Sequence, residues 1–270
     1  MKSTIKQYQG IILPLLGCTV FAVYWLVFGW QPMDRVELPL AAWIHSAAGR
    51  SDVVDGAIIF FNRWWGEFVC VVLIYLSFLA VAIWSTPWGE DRRRILGFSG
   101  VIFATWIVAN FIGEGLIEPA VVRHSPAYLL GDDFTDLAEL HEREVKVRSA
   151  ASFPSNHGTV FMLVFTMSLY RYGRKAWLLF PIATVLSLPR CLTGAHWVGE
   201  SLVGSLLMTW LIGAVVMTTP LRTVVDRIEQ LAITLFPHWL SGPGGVVSLP
   251  CKRSDTDARR SEPPPIAKAG

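Results

Sequence analysis

The sequence predicts an all-α fold, a polytopic membrane bundle of six transmembrane helices with both termini cytoplasmic. Three observations carry that prediction. Apolar residues make up 53% of the 270-residue chain, charged residues only 16%, and twelve tryptophans are present, a composition too apolar for a soluble domain of this length. A helix needs about 20 mostly apolar residues to cross about 30 Å of hydrocarbon. Six runs approach that, near 10–30, 67–86, 95–117, 157–172, 176–190 and 198–218. The basic groups that carry the orientation are Lys2 and Lys6 at the start, the DRRR stretch from Asp91 to Arg94, YRYGRK from Tyr170 to Lys175, and Arg222, Arg227, Lys252, Arg253, Arg259 and Arg260 in the tail. All fall on one side of a six-helix count, the positive-inside pattern, and this places 31–66, 118–156 and 190–197 on the outer face.

Taken in order, the first run follows two lysines and is not followed by a small-residue cleavage site, so a retained first helix is expected. The segment Asp52 to Trp65, DVVDGAIIFFNRWW, is too short to span and rich in Trp at one end, which predicts a helix lying in the outer interface; a plain loop is the alternative. The last three runs are short or carry polar groups. After them, Val224, Val225, Ile228, Leu231, Ala232 and Leu235 form a helical apolar stripe suited to the inner interface. The expected organisation is a membrane domain over 1–218, an interfacial amphipathic helix within 219–240, and a disordered tail over 241–270 marked by SGPGG and SEPPP.

Composition also excludes classes. A formal net charge of +2, with basic residues scattered in short groups, argues against a nucleic-acid partner. Cys18 and Cys70 lie in apolar runs, Cys191 borders a loop and Cys251 lies in the tail, so neither a disulfide framework nor a paired-Cys metal site is implied.

Three polar clusters remain at outer-face helix ends of a chain that accommodates polarity poorly: VVRHSP (Val121 to Pro126), PSNH (Pro154 to His157) and LPRCLTGAHWVGE (Leu188 to Glu200). Ionisable residues at membrane depth are expensive and usually functional. If the sixth helix begins near His196, then His196 and Glu200 share a face at i and i+4, where the carboxylate can hold Nδ1–H and leave Nε2 free as a nucleophile. Arg123 offers a guanidinium fork suited to phosphate oxygens. Ser155 and the free N–H groups at the start of the fourth helix form an anion site, and His157 in that first turn can protonate a departing oxygen. Taken singly, each has a structural reading: Ser155 and Asn156 as a helix cap, an arginine as a headgroup anchor, a histidine as a packed core residue. Together they point to phosphoryl transfer. Neither a Walker lysine loop nor paired carboxylates for magnesium is present, so arginines and backbone dipoles are expected to neutralise the charge, with no metal and no cofactor.

At these residues the sequence resembles the type 2 phosphatidic acid phosphatase superfamily, whose pattern is K-x6-R-P, P-S-G-H and S-R-x5-H-x3-D on a six-helix membrane bundle. The resemblance implies His196 as a nucleophile forming a phosphohistidine, Glu200 as its orienting acid, His157 as general acid, and Arg123, Arg190, Ser155 and Asn156 at the phosphate. Three positions depart from the pattern: the first-motif lysine is absent, with Leu116 and Val122 in its neighbourhood, Asn156 replaces Gly, and Glu200 replaces Asp. Within the superfamily the chain is most similar to the branch that moves a phosphate from undecaprenyl diphosphate to lipid A at the periplasmic face. That likeness runs through RHSP, Phe134 to Asp136, SFPSNHG, YRYGRK, LPRCLTGAHW and Val203 to Ser205.

Lipid phosphates in the membrane are therefore the expected partners. Two other readings share these residues: a hydrolase that passes the phosphate to water, and a non-catalytic protein that binds anionic lipid through the same arginines. The loop from Pro119 to Ser152 carries Arg143, Lys146 and Arg148 among acidic residues, which makes it a candidate substrate lid; a solvated connector is the alternative.

Overall fold

A computed structural model describes residues 2–87 and 91–236. The expected tail over 241–270 lies outside the described residues, as does the end of the 219–240 segment. Among the described residues the regular structure is helical, with the order α1 (Lys2–Phe28), α2 (Gln31–His45), α3 (Asp52–Phe61), α4 (Trp64–Ser85), α5 (Arg93–Ile112), the short α6 (Leu137–Leu140), α7 (Asn156–Tyr172), α8 (Leu179–Leu192), α9 (Ser205–Thr218) and α10 (Leu221–Leu235). Helix α5 continues through a π turn at Gly113–Ile117 to Ala120, and a second π turn, Glu200–Gly204, leads into α9.

Among the described residues, five stretches are long and apolar enough to cross a membrane: Ile11–Phe28, Trp64–Ser85, Arg93–Ala120, Asn156–Leu192 and Glu200–Thr218. The fourth is broken at Gly173, whose φ of 65° closes α7, and the two halves α7 and α8 pack against one another. The sequence reading had divided it at the same place, over 157–172 and 176–190.

Helix α7 is the hub. It packs against α4, α5, α8 and α9, and every residue from Phe161 to Ser168 is buried. Its side chains mesh with Phe78, Phe98, Ile102, Leu179 and Ala183 in one apolar core. A helix that is apolar all round belongs inside a bundle. Helix α1 presents the opposite pattern. Leu13, Leu16, Val20 and Leu26 are exposed, as they are on a helix whose surroundings are lipid chains. At the entry to α7, a Cβ on Gly158 would stand 2.4 Å from the Ser201 carbonyl oxygen and 2.6 Å from Ser205 Oγ, so only glycine lets α7 approach the second π turn this closely.

Two elements differ from the sequence reading. The 31–66 segment holds a helix that was not anticipated, α2, because Asp34, Arg35, Glu37, Pro32 and Pro39 dilute its apolar pattern. Pro32 sits in the first turn, where a missing N–H is harmless. The interfacial segment expected over 52–65 divides instead. Ser51 Oγ caps α3 by accepting from the Val54 N–H at 3.3 Å, Asn62 ends it, and α4 starts at Trp64, three residues before the predicted start of the span.

On the far side of the bundle, α10 packs along α5. Glu229, 2% exposed, takes two hydrogen bonds from Arg171 at 3.1 and 3.0 Å; its burial raises the carboxyl above its ordinary value while Arg171 pulls it back. The buried Arg93 pairs with Asp91 and donates to the Phe236 carbonyl oxygen at 3.0 Å, tying the start of α5 to the end of α10.

Candidate active site

The three polar clusters meet at one end of the bundle. Residues 123–125 and 149–152 run side by side. The Ser125 N–H donates to the Ser149 carbonyl at 3.0 Å, the Ser149 N–H to Ser125 Oγ at 3.0 Å, and the Ser152 N–H to the Arg123 carbonyl at 2.8 Å. The third cluster folds over them. After α8 the chain turns at Gly194, with φ of 75°, and the N–H groups of Ala195 and His196 both donate to the Arg190 carbonyl, at 3.1 and 3.3 Å. A Cβ on Gly194 would lie 2.8 Å from the Phe134 ring, so both the turn and the packing demand glycine. The Trp197 indole N–H closes the knot by donating to the His124 carbonyl at 2.8 Å.

His196 is 6% exposed and sits in the bend before the helix, not on it. Its Nδ1 is 2.8 Å from the Ser152 carbonyl oxygen and 3.5 Å from Glu200 Oε2. A carbonyl oxygen only accepts, so Nδ1 carries the proton, and the Nε2 lone pair is left without a protein partner among the described residues. The sequence assigned this orienting role to Glu200 on a shared helix face; the structure gives the first hold to a backbone carbonyl.

Glu200 does more than touch His196. Trp197 precedes the first helical turn, and Glu200 three residues on reaches back to accept its N–H at 3.2 Å through Oε2, the return arm of a capping box. Oε1 accepts from Ser152 Oγ at 2.7 Å and from Arg123 Nη1 at 3.3 Å. The carboxylate is fully buried and serves donors from all sides.

Arg123 is 2% exposed and lies between the rings of Trp30 and Trp197, at 4.7 and 4.4 Å from their centroids. Asp34 takes its Nε–H at 2.9 Å and its Nη2–H at 2.7 Å, and Glu37 lies 3.5 Å from Nη2. Both acids come from α2, the helix the sequence reading did not anticipate. Glu37 also accepts the Gly199 N–H at 3.4 Å. Burial raises its carboxyl above the ordinary value, opposed by Arg123 and reinforced by the neighbouring Glu200.

Arg190, 7% exposed, pairs with Glu67 of α4, and His157 Nε2 lies 3.2 Å from the same oxygen, Glu67 Oε1. The carboxylate calls for a proton on His157 Nε2. Arg190 Nη2 is 3.4 Å from that nitrogen. The Nε and Nη1 groups of Arg190 are buried and have no hydrogen-bond partner among the described residues. A buried guanidinium with two idle donors is a feature native proteins keep for a ligand.

The remaining sequence candidates fall into two groups. Ser155, 1% exposed, caps α7 by accepting from the Gly158 N–H at 3.3 Å. Asn156 turns aside and pairs with Glu114 in the first π turn. Arg143 and Lys146 line an open polar cavity of about 760 Å³ beside Asn62, Arg63 and Trp64. Arg148 is placed apart from them, 5.3 Å above the Phe134 ring with its Nη1 3.6 Å from Asp136.

Sequence reasoning missed Asp34, Glu37, Glu67, Trp30 and Ser152. Glu67 was legible as a lone carboxylate at the head of an apolar run, and Asp34 and Glu37 as a pair three apart in a segment otherwise fit for a membrane surface.

The chain is 34% identical over 249 residues to the lipid A 1-diphosphate synthase of Escherichia coli (strain K12), an alignment covering 87% of this chain and 94% of that one. No family model matches, and no solved structure matches. At this identity over nearly the full length of both proteins, the chain belongs to the lipid A 1-diphosphate synthase branch of the type 2 phosphatidic acid phosphatase superfamily.

Proposed function

We propose that this protein is a multi-pass enzyme of the bacterial inner membrane that moves a phosphate from undecaprenyl diphosphate to lipid A at the periplasmic face, through a phosphohistidine at His196 and without a metal. The observation that carries the reading is the pair of buried, unpartnered donors on Arg190 beside an accessible His157 and an unpartnered His196 Nε2. Counting α7 and α8 as two passes gives six spans with both termini cytoplasmic, in keeping with the one-sided basic groups. An apolar cavity of about 420 Å³ that reaches Phe153 and Gly204, next to the polar site, offers room for a lipid chain.

In the proposed reaction the terminal phosphate of the donor is gripped by Arg190 Nε–H and Nη1–H, the two donors that Glu67 on Nη2 leaves idle. The N–H groups of the α7 N-terminus behind the Ser155 cap add positive potential. The His196 Nε2 lone pair attacks the terminal phosphorus. The bridging P–O bond breaks, and the departing undecaprenyl phosphate oxygen takes the His157 Nε2 proton. His196 is then an N-phosphorylated cation, stabilised by Glu200 and the Ser152 carbonyl at Nδ1. An oxygen of the lipid A phosphate attacks that phosphorus, returns a proton to His157 and releases His196. Arg123 does not need to reach the phosphate in this scheme, because it holds the buried Glu200 in place and balances its charge.

Labelled undecaprenyl diphosphate supplied with and without lipid A tests the reading. Label appearing in lipid A only when lipid A is present, with acid-labile, base-stable label on the wild type and none on His196→Ala, is the expected result. Equal release of free phosphate with and without lipid A would establish a hydrolase, and full turnover by His196→Ala would end the phosphohistidine mechanism.

A further inference from the structure

The open cavity beside the site has a composition that the donor does not explain. Three of its lining groups, Arg63, Arg143 and Lys146, are exposed cations without a carboxylate partner among the described residues, although Glu142 and Glu144 line the same cavity. Arg63 precedes the first turn of α4 and no side chain caps that helix, so the positive end of a 22-residue helix opens beside it. These features together fit an anion.

A second feature narrows the chemistry. Asn62, 5% exposed, lines the cavity. Its Nδ2 spends both hydrogens on backbone carbonyls, those of Ile58 and Pro189, each at 2.8 Å, which settles the orientation of the amide. Oδ1 is thereby left as a buried acceptor with no donor among the described residues. A phosphate monoester alone serves it poorly, since at neutral pH, above its second pKa of about 6, its oxygens mainly accept. A ligand that serves both must carry phosphate together with a hydroxyl or amide N–H. The ring of Trp64, 60% exposed on the cavity wall, adds a flat apolar face of the kind that the C–H face of a sugar ring covers.

The cavity is also joined to the catalytic groups. Asn62 bonds the carbonyl of the residue preceding Arg190, and Arg63 lies one helical turn, about 5.4 Å, before Glu67, whose N–H donates to the Arg63 carbonyl. Lys146 lies within electrostatic reach of Glu67.

We infer that this cavity seats the phosphorylated sugar headgroup of the acceptor lipid, with Arg63, Arg143 and Lys146 on phosphate and Asn62 Oδ1 on a sugar hydroxyl or amide. The inference rests on the phosphotransferase reading and specifies where the acceptor lies. A prenyl diphosphate has no hydrogen-bond donor for Asn62, so the cavity selects acceptor over donor. It also implies that water is a poor substitute for the acceptor, because the groups built around the cavity have nothing to hold when water reacts.

The test uses the full chain in detergent micelles and reads binding apart from chemistry. Lipid A should bind at least about tenfold more tightly than phosphatidic acid, a lipid phosphate with no hydroxyl or amide donor. The double variant Arg143→Gln/Lys146→Gln should weaken lipid A binding by about tenfold to a hundredfold, the worth of charge-assisted hydrogen bonds lost. In steady-state transfer the same variant should raise the Michaelis constant for lipid A by a similar factor and lower turnover at saturating lipid A far less. Arg50→Gln, which removes an exposed cation bonded to Ser46 Oγ outside the cavity, should change neither quantity. Equal binding of lipid A and phosphatidic acid, or lipid A binding untouched by the double variant, overturns the inference. Should the wild type bind lipid A as described yet transfer nothing, the phosphotransferase reading fails while the cavity assignment stands.

Discussion

The carbonyl oxygen of Ser152 lies 2.8 Å from His196 Nδ1, closer than the 3.5 Å of the Glu200 carboxylate. The His196 tautomer is therefore held by backbone from the neighbouring cluster, while Glu200 organises what surrounds it: the Trp197 N–H, the Ser152 hydroxyl and the Arg123 guanidinium. Ser152 is common to both arrangements, so the 149–152 segment sets the distance between His196 and Glu200.

Substitutions at Glu200 follow from that division of labour. Glu200→Gln places an NH2 group among four donors and removes the charge opposite Arg123. Transfer should fall by about ten thousandfold, the loss that follows when an orienting carboxylate is removed from a comparable triad. Glu200→Asp keeps the charge but is too short to reach both the Trp197 N–H and the Ser152 hydroxyl. Activity between that of the wild type and that of Glu200→Gln is expected, together with a lower melting temperature, measured side by side in detergent.

Glu67 occupies Arg190 in the resting site and holds His157 Nε2–H, so its removal has two opposed effects. In Glu67→Gln the carboxylate charge that competes with the donor phosphate for the guanidinium's positive charge is gone, and His157 loses the carboxylate that orients its proton. The Michaelis constant for undecaprenyl diphosphate should fall, and turnover should fall by about tenfold to a hundredfold. A rise in both constants would mean that Glu67 does not compete with the phosphate.

Glu37 makes a prediction about pH. Its carboxyl is held above the ordinary 4.5 by burial, so the folded protein binds that proton more tightly than the unfolded chain does. Stability carried by this group is present below about 4.5 and is lost as pH rises through the folded value. Glu37→Gln retains an acceptor for the Gly199 N–H and removes one of the carboxylates around Arg123. Its melting temperature should equal or exceed that of the wild type at pH 7, with a flatter pH dependence between 4.5 and 7, read by thermal unfolding in detergent.

Orientation is testable without chemistry. Reporters fused after Arg94, Lys175 or Gly270 should report cytoplasm, and one placed near Asp136 should report periplasm. An outer location for residue 270 would sink the six-pass arrangement.

Arg148 separates the two readings of the outer loop. It rests on Phe134 and Asp136, so Arg148→Gln should lower the melting temperature and leave the Michaelis constant for lipid A within about twofold, in contrast to the Arg143 and Lys146 variant.

The sequence by itself determined the helical class, the break between 157–172 and 176–190, and the three polar clusters that meet at one end of the bundle. Hydropathy and basic flanks are local properties, and the PSNH and PR-x5-H-x3-E spacings survive because His157, Arg190, His196 and Glu200 are each placed by a cap or turn of a few residues. Tertiary structure alone decided how these residues are held. Helix α2 was hidden because its acids and prolines look like a loop until Asp34 and Glu37 are seen facing Arg123, contacts that span 89 residues in the Asp34 case. Glu67 reaches Arg190 across 123 residues, and the Ser152 carbonyl reaches His196 across 44. Such pairings follow from which helices pack around α7 and have no periodic trace in the chain. The role of Arg123 changed for the same reason: an arginine read alone is a phosphate ligand, whereas one buried among Asp34, Glu37 and Glu200 must first neutralise them, because an unpaired charge there would be too costly to bury.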